Sequence, residues 1–180
     1  AIMIRKLFMA GLLTGLLGLT GCGTANYAPL ATVDSVDINR YLGKWYEIAH
    51  LPNSFPKGCF ASTAEYSLID SETIRVVNSC NKDSLNGEID QANGKAFVVE
   101  NSGNSKLRVQ FFWPFRGDYW IIDLDNENYS YAVVGTPSRK YLWILYRKPE
   151  IEQSLYKTLI ERCREKGFDV SKLEITKHRI

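Results

Sequence analysis

Gly43-Lys44-Trp45-Tyr46-Glu47-Ile48-Ala49 starts on a glycine and continues through aromatic and branched side chains, the composition of a β-strand. Strands of the same kind, bounded by Gly, Asn, Asp, Ser or Pro, are predicted near 44–51, 61–69, 74–81, 93–100, 106–112, 118–124, 130–136 and 141–147. Eight strands in succession, mostly joined by short connections, predict an up-and-down antiparallel sheet. Closing that sheet removes the edge strands that invite aggregation, and an eight-stranded barrel has room for one small ligand. The break at 52–60 (PNSFPKGCF) is too long for a tight hairpin, carries two prolines and reads as a lid-like loop at one mouth. After Pro149 the period changes: Ile151, Leu155, Leu159, Ile160 and Cys163 recur at helical spacing, and Gly167 supplies a stop. The expected fold is all-β, an eight-stranded up-and-down antiparallel β-barrel with one C-terminal α-helix packed outside and a short last strand from Lys172 to Thr176.

Ahead of the barrel lie a basic start at Arg5 and Lys6, an apolar run from Leu7 to Leu19, and small residues before a cysteine. That is the layout of a cleaved secretory signal. Leu19-Thr20-Gly21-Cys22 resembles a bacterial lipobox, which implies that Cys22 begins the mature chain and carries a diacylglyceryl group on its sulfur. One acyl chain holds marginally, at ~0.8 kcal/mol per buried methylene, whereas the two or three chains of such an anchor hold a domain firmly. The alternative, a transmembrane helix over Leu7 to Leu19, falls short of the ~20 residues of a span and contains Gly11, Gly15 and Gly18. The chain therefore divides into a lipoprotein signal peptide (1–21), a tether with the lipidated Cys22 (22–31) and one barrel domain (32–180). Gly23 stands where, by resemblance to bacterial sorting rules, an aspartate would retain a lipoprotein in the inner membrane. The implied address is the outer membrane, lipid-anchored and facing the periplasm.

Twenty-two basic and 20 acidic residues, with Arg5 and Lys6 the only charges before Cys22, leave a mature chain balanced at 20 against 20. That neutral balance, with no clustered Lys/Arg tract, argues against nucleic acid as a partner. Cys59, Cys80 and Cys163 remain in a compartment that permits disulfides. A hairpin turning near Asp70-Ser71 brings Cys59 and Cys80 together, which predicts a bond between them and a buried free thiol at Cys163. A Cys59–Cys163 bond is the open alternative.

The first strand's G-x-W, preceded by Asp37-Ile38-Asn39-Arg40-Tyr41-Leu42, resembles the opening signature of the lipocalins. Tyr141-Leu142-Trp143-Ile144-Leu145-Tyr146-Arg147 on the eighth strand, Asp125-Asn126-Glu127-Asn128-Tyr129 between the sixth and seventh, and Gly167-Phe168-Asp169-Val170-Ser171-Lys172 after the helix resemble one branch of that family. This branch is the bacterial outer-membrane lipoprotein lipocalins, relatives of apolipoprotein D. The resemblance implies that Trp45 closes the narrow end of the barrel, with Arg147 lying across its indole and donating to backbone carbonyls. Leu124-Asp125-Asn126 departs from the Thr-Asp-Tyr of many other members, which withdraws any receptor contact borrowed from them.

If Trp45 and Arg147 face the closed end, alternation turns Glu47, Ala49, Tyr141, Trp143 and Leu145 inward. Aligning the other strands by resemblance adds Ala64, Tyr66, Val76, Asn78, Val98, Tyr119, Ile121 and Val134. This apolar wall suits a long hydrocarbon chain with one polar end. Phe111-Phe112-Trp113-Pro114-Phe115-Arg116-Gly117-Asp118 reads as a rim of the open mouth or a contact surface, with Arg116 able to meet a carboxylate or phosphate; a solvated arginine beside loop-packed aromatics is the other reading. Candidate ligand-binding residues are Trp143, Tyr119, Tyr141, Tyr66, Phe112, Arg116 and Glu47, the last also readable as a hydrogen-bonded structural carboxylate. His50 and His178 lack metal-ligand spacing, and no nucleophile elbow, phosphate loop or zinc motif occurs, so no enzyme, cofactor or metal is expected. The expected function is storage or transport of fatty acids or lysophospholipids. The alternative is a structural envelope protein with a filled barrel, its aromatic rim docking a partner or forming a homodimer.

Overall fold

One helical turn leads the chain into its first strand. The Asp37 carboxylate accepts from the backbone amides of Asn39 (2.9 Å) and Arg40 (3.3 Å), satisfying the open N-terminus of α1, Ile38–Tyr41. Gly43, at φ +91°, then turns the backbone into β1, Gly43–His50, a conformation that side-chain-bearing residues rarely adopt. The computed structural model describes residues 27–53 and 58–179. The expected signal peptide (1–21), Cys22, most of the expected tether and positions 54–57 of the 52–60 loop lie outside the described residues.

Seven further strands follow: β2, Cys59–Leu68; β3, Thr73–Lys82; β4, Ile89–Val98; β5, Lys106–Phe112; β6, Phe115–Leu124; β7, Tyr131–Gly135; and β8, Leu142–Tyr146. Each pairs antiparallel with the next, and β1 pairs with both β2 and β8, which closes the eight-stranded barrel. The 3-10 turn Val170–Lys172 leads to β9, Glu174–Ile175, which adds a ninth strand against Ala49 and His50 of β1. Connections at 51–58, 83–88, 113–114 and 136–141 lie at one end of the barrel; those at 69–72, 99–105 and 125–130 lie at the other, beside α1.

Two apolar clusters sit on the two faces of the sheet. Trp45, Tyr66, Ile74, Val76, Leu107, Tyr119, Ile121, Val134 and Leu145 belong to the inner one. The outer one lies beneath α2, Gln153–Glu165, where Leu159 and Cys163 are fully buried with Ile48, Val133, Ile144 and Phe168. Leu155, Leu159 and Cys163 recur every four residues, so the helix buries one stripe and leaves the rest in water. Cys59 is bonded to Cys80, and Cys163 is free and buried. This settles the cysteine question left open by the sequence.

Simple alternation fails at one place in β1. The register slips between Glu47, opposite Leu145, and Ala49, opposite Ile144. Ala49 therefore joins the outer cluster instead of the cavity wall, because a bulge inserts one extra residue and reverses the facing of the residues beyond it.

Candidate ligand-binding site

The site is built from a sealed floor upward. Arg147 lies with its guanidinium carbon 3.7 Å from the Trp45 ring centroid. It donates to the carbonyls of Arg40 (2.8 Å), Lys44 (3.0 Å), Tyr129 (3.2 Å) and Tyr41 (3.3 Å). The indole Nε1 donates to Tyr41 O at 2.8 Å, so α1, the start of β1 and the 125–130 connection are joined through two side chains. Asp125 shapes that connection, accepting from the amides of Glu127 and Asn128 (both 3.2 Å) and Ser130 (3.3 Å) and from the Ser130 hydroxyl (2.5 Å). Partial burial works to raise its carboxyl, but these hydrogen bonds outweigh it and hold the group below its ordinary value.

Above the floor, three tyrosines meet. Tyr119 OH lies 2.8 Å from both Tyr41 OH and Tyr66 OH. Burial raises all three phenols, Tyr66 to about 12 and the other two well above their ordinary value, so the hydroxyls keep their protons throughout the neutral range. Three O–H groups make two hydrogen bonds within the cluster. One donor is left over, and of the three residues Tyr66 and Tyr119 face the cavity.

The cavity has a volume of ≈ 390 Å³ and opens at the end that carries the 51–58 and 83–88 connections. Trp143, Leu145, Ala64, Tyr66, Val76, Asn78, Tyr119 and Glu47 line it. Ile121, Val134 and Val98 sit in the packed inner cluster and do not reach the open space. Tyr141 stacks on Trp143, centroids 6.0 Å apart and planes inclined by 11°, and supports that wall from outside the lining. Phe112 and Arg116 are also off the wall. The β5–β6 hairpin carries Phe112 past the rim into solvent, and Arg116 lies over the Phe97 ring at 4.1 Å.

Several lining residues were not among those expected on the cavity wall. Val109 and Phe111 come from β5, and Gly94 of β4 makes room for Phe111: a Cβ there would stand 2.8 Å from its ring and from Gln110 O. The alternation of Val109 and Phe111 is the signal that finds them. His50 faces in because of the β1 bulge, and Glu174 arrives on β9. At this mouth the Glu47 carboxylate accepts from Thr176 Oγ1 at 2.6 Å, and His50 Nε2 lies 3.7 Å from Glu47 and 3.8 Å from Glu174. Glu47, Asp90 and Glu174 put three carboxylates on the lining, with no Lys or Arg among the described lining residues.

Comparison with known proteins gives one consistent answer. The model of the family described as "Lipocalin-like domain" matches residues 36–178. The chain is 43% identical over 141 residues to the outer membrane lipoprotein Blc of Vibrio cholerae serotype O1, covering 78% of this chain and 82% of that protein. It is 41% identical over 144 residues to Blc of Escherichia coli K12, covering 79% and 80%. The solved structure of insecticyanin from the tobacco hornworm Manduca sexta superposes with a TM-score of 0.65 at 20% identity, over 85% of this chain and 86% of that one, a likeness of fold.

Proposed function

We propose, from the premise that this chain belongs to the lipocalin family and to its outer-membrane lipoprotein Blc branch, that it binds lipid in the barrel and stores or transports fatty acids or lysophospholipids. The observation that carries this reading is the ≈ 390 Å³ cavity, open at one end, sealed at the other by Trp45 and Arg147, and walled by Trp143, Leu145, Phe111 and Val109. An acyl chain leaving water for such a wall gains on the order of 0.8 kcal/mol per methylene, so affinity comes from burial and chain length is limited by the floor. The filled-barrel alternative needs an interior without that space.

Charge at the mouth supports lysophospholipids over free fatty acids. Asp90 is paired with Lys82 at 3.6 Å, but a carboxylate entering beside Glu47 and Glu174 meets like charges, whereas the ammonium of an ethanolamine head group finds acceptors. Tyr66 or Tyr119 supplies the deep donor for a ligand oxygen. Cys22, carrying acyl groups, anchors the domain on the periplasmic face of the outer membrane, and Gly23 after it is consistent with that address. No catalytic step enters this reading.

Native mass spectrometry of the chain isolated from membranes tests it, followed by identification of whatever lipid is carried. One lipid per chain is expected, together with displaceable binding of a fluorescent lysophospholipid that Trp143→Ala weakens roughly tenfold or more. An empty barrel that takes up no added lipid contradicts the proposal. Unchanged binding in the variant removes Trp143 from the site while leaving the carrier reading in place.

A further inference from the structure

The β5–β6 hairpin ends in four residues that the barrel does not use. Phe112 is 77% exposed, Trp113 86% and Phe115 77%, and the strands turn through Trp113-Pro114. They stand at the mouth end, where Ile89 and Ile175 are also exposed. Three aromatic side chains in water at one hairpin tip have no structural use in the barrel, whereas two apolar rings beside a tryptophan, whose N–H keeps a polar edge, suit the boundary between lipid head groups and acyl chains.

A second observation concerns where the N-terminus leaves the domain. Arg139, in the 136–141 connection at the mouth end, donates to Lys166 O at 3.1 Å, Pro137 O at 2.7 Å and Ala28 O at 2.6 Å, and lies 5.2 Å from the Tyr27 ring centroid. The Tyr27 ring also packs against Gly167, where a Cβ would stand 2.7 Å from it. The first described residues are thus fastened beside the open end, although the following segment runs down the barrel to α1 at the closed end. From Tyr27 back to Cys22 is five residues, a reach of at most ~17 Å.

We propose that this chain docks mouth-down on a lipid bilayer, with the Phe112–Phe115 tip inserted at the interface and the short N-terminal tether holding the same end against the surface. The tether half of the argument rests on Cys22 being the anchored residue; the hairpin half does not. A lipid then passes between cavity and membrane across the rim without crossing water.

The full chain, purified from membranes and reconstituted into vesicles of phosphatidylethanolamine and phosphatidylglycerol containing a diazirine-bearing phospholipid, is irradiated and its adducts mapped by mass spectrometry. Adducts concentrated on Phe112, Trp113 and Phe115, falling at least fivefold at the hairpin in a Phe112→Ser/Trp113→Ser/Phe115→Ser variant with an unchanged thermal midpoint, support the proposal. Adducts at Leu68 and Ile69 at the opposite end, adducts confined to the cavity wall, no adducts on the barrel, or hairpin-to-hairpin links between two copies overturn it. Intact mass reads acylation of Cys22 separately, so a chain without acyl groups overturns the anchor reading while the adduct map still decides the orientation.

Discussion

Arg147 illustrates how much one side chain holds together. Its four carbonyl acceptors come from α1, from the residue after Gly43 and from the 125–130 connection, and its flat face covers Trp45. Lysine keeps the charge but has neither the planar fork nor the stacking surface. Arg147→Ala is expected to lower unfolding free energy by about 2–4 kcal/mol, with Arg147→Lys recovering less than half, as read by urea denaturation. A loss below ~0.5 kcal/mol would show that the floor closes without it. The positions of Trp45 and Arg147 were legible because the G-x-W stretch and the arginine-ended eighth strand are strong local patterns. Ala49 and His50 were not. Their facing depends on one extra residue in β1, and a bulge is decided by how β8 pairs across from it, which no property of β1 alone announces.

Among the elements, the β2–β3 hairpin shows what local chemistry leaves unsaid. The sequence placed Cys59 and Cys80 near one another on successive strands but left Cys163 as a rival partner. Packing resolves the choice: α2 lies on the outer face of the barrel and turns Cys163 into the cluster with Leu159 and Ile144, while Cys59 begins β2 on the strand next to Cys80. The disulfide closes a segment with a sequence separation of 21, and in the chain-entropy picture removing such a link costs about 3 kcal/mol. A Cys59→Ser/Cys80→Ser variant should therefore unfold at lower denaturant while keeping its far-ultraviolet spectrum; an unchanged midpoint would show that strand pairing alone fixes this hairpin. The tip of β5–β6 was legible as an aromatic run, and the structure adds that the strands continue to its very end, which carries Phe112 and Arg116 beyond the cavity.

For the molecule as a whole, the same burial that shapes the cavity makes stability fall at alkaline pH. Burial is the largest cause raising Tyr41, Tyr66, Tyr119 and Cys163; Tyr66 rises from 10.0 to about 12 and Cys163 from 9.0 to about 12. Below pH ~8 these groups are neutral in both folded and unfolded chains, and stability is undiminished. Above it the unfolded chain sheds protons that the folded chain keeps, first at Cys163 and from pH ~9 at the tyrosines, so stability declines from pH ~8 toward 12. Phenolate absorbance should rise together with loss of structure, and Cys163 should resist thiol reagents until then. Early titration of all ten tyrosines in a folded chain would contradict this account. The closed barrel and outer helix were legible because strand number and helical period are set locally. The extent of empty space was not, because it depends on whether inward side chains from opposite strands meet, as they do around Ile121 and fail to do between Trp143 and Val76.

The central claim is that the open half of this barrel is a binding space for a lipid chain. Calorimetric titration of the delipidated protein with lysophosphatidylethanolamine tests it most directly. Saturable binding at one lipid per cavity with a negative heat-capacity change is predicted, the mark of apolar surface leaving water. Heat that never saturates, or binding with no heat-capacity change, would contradict it.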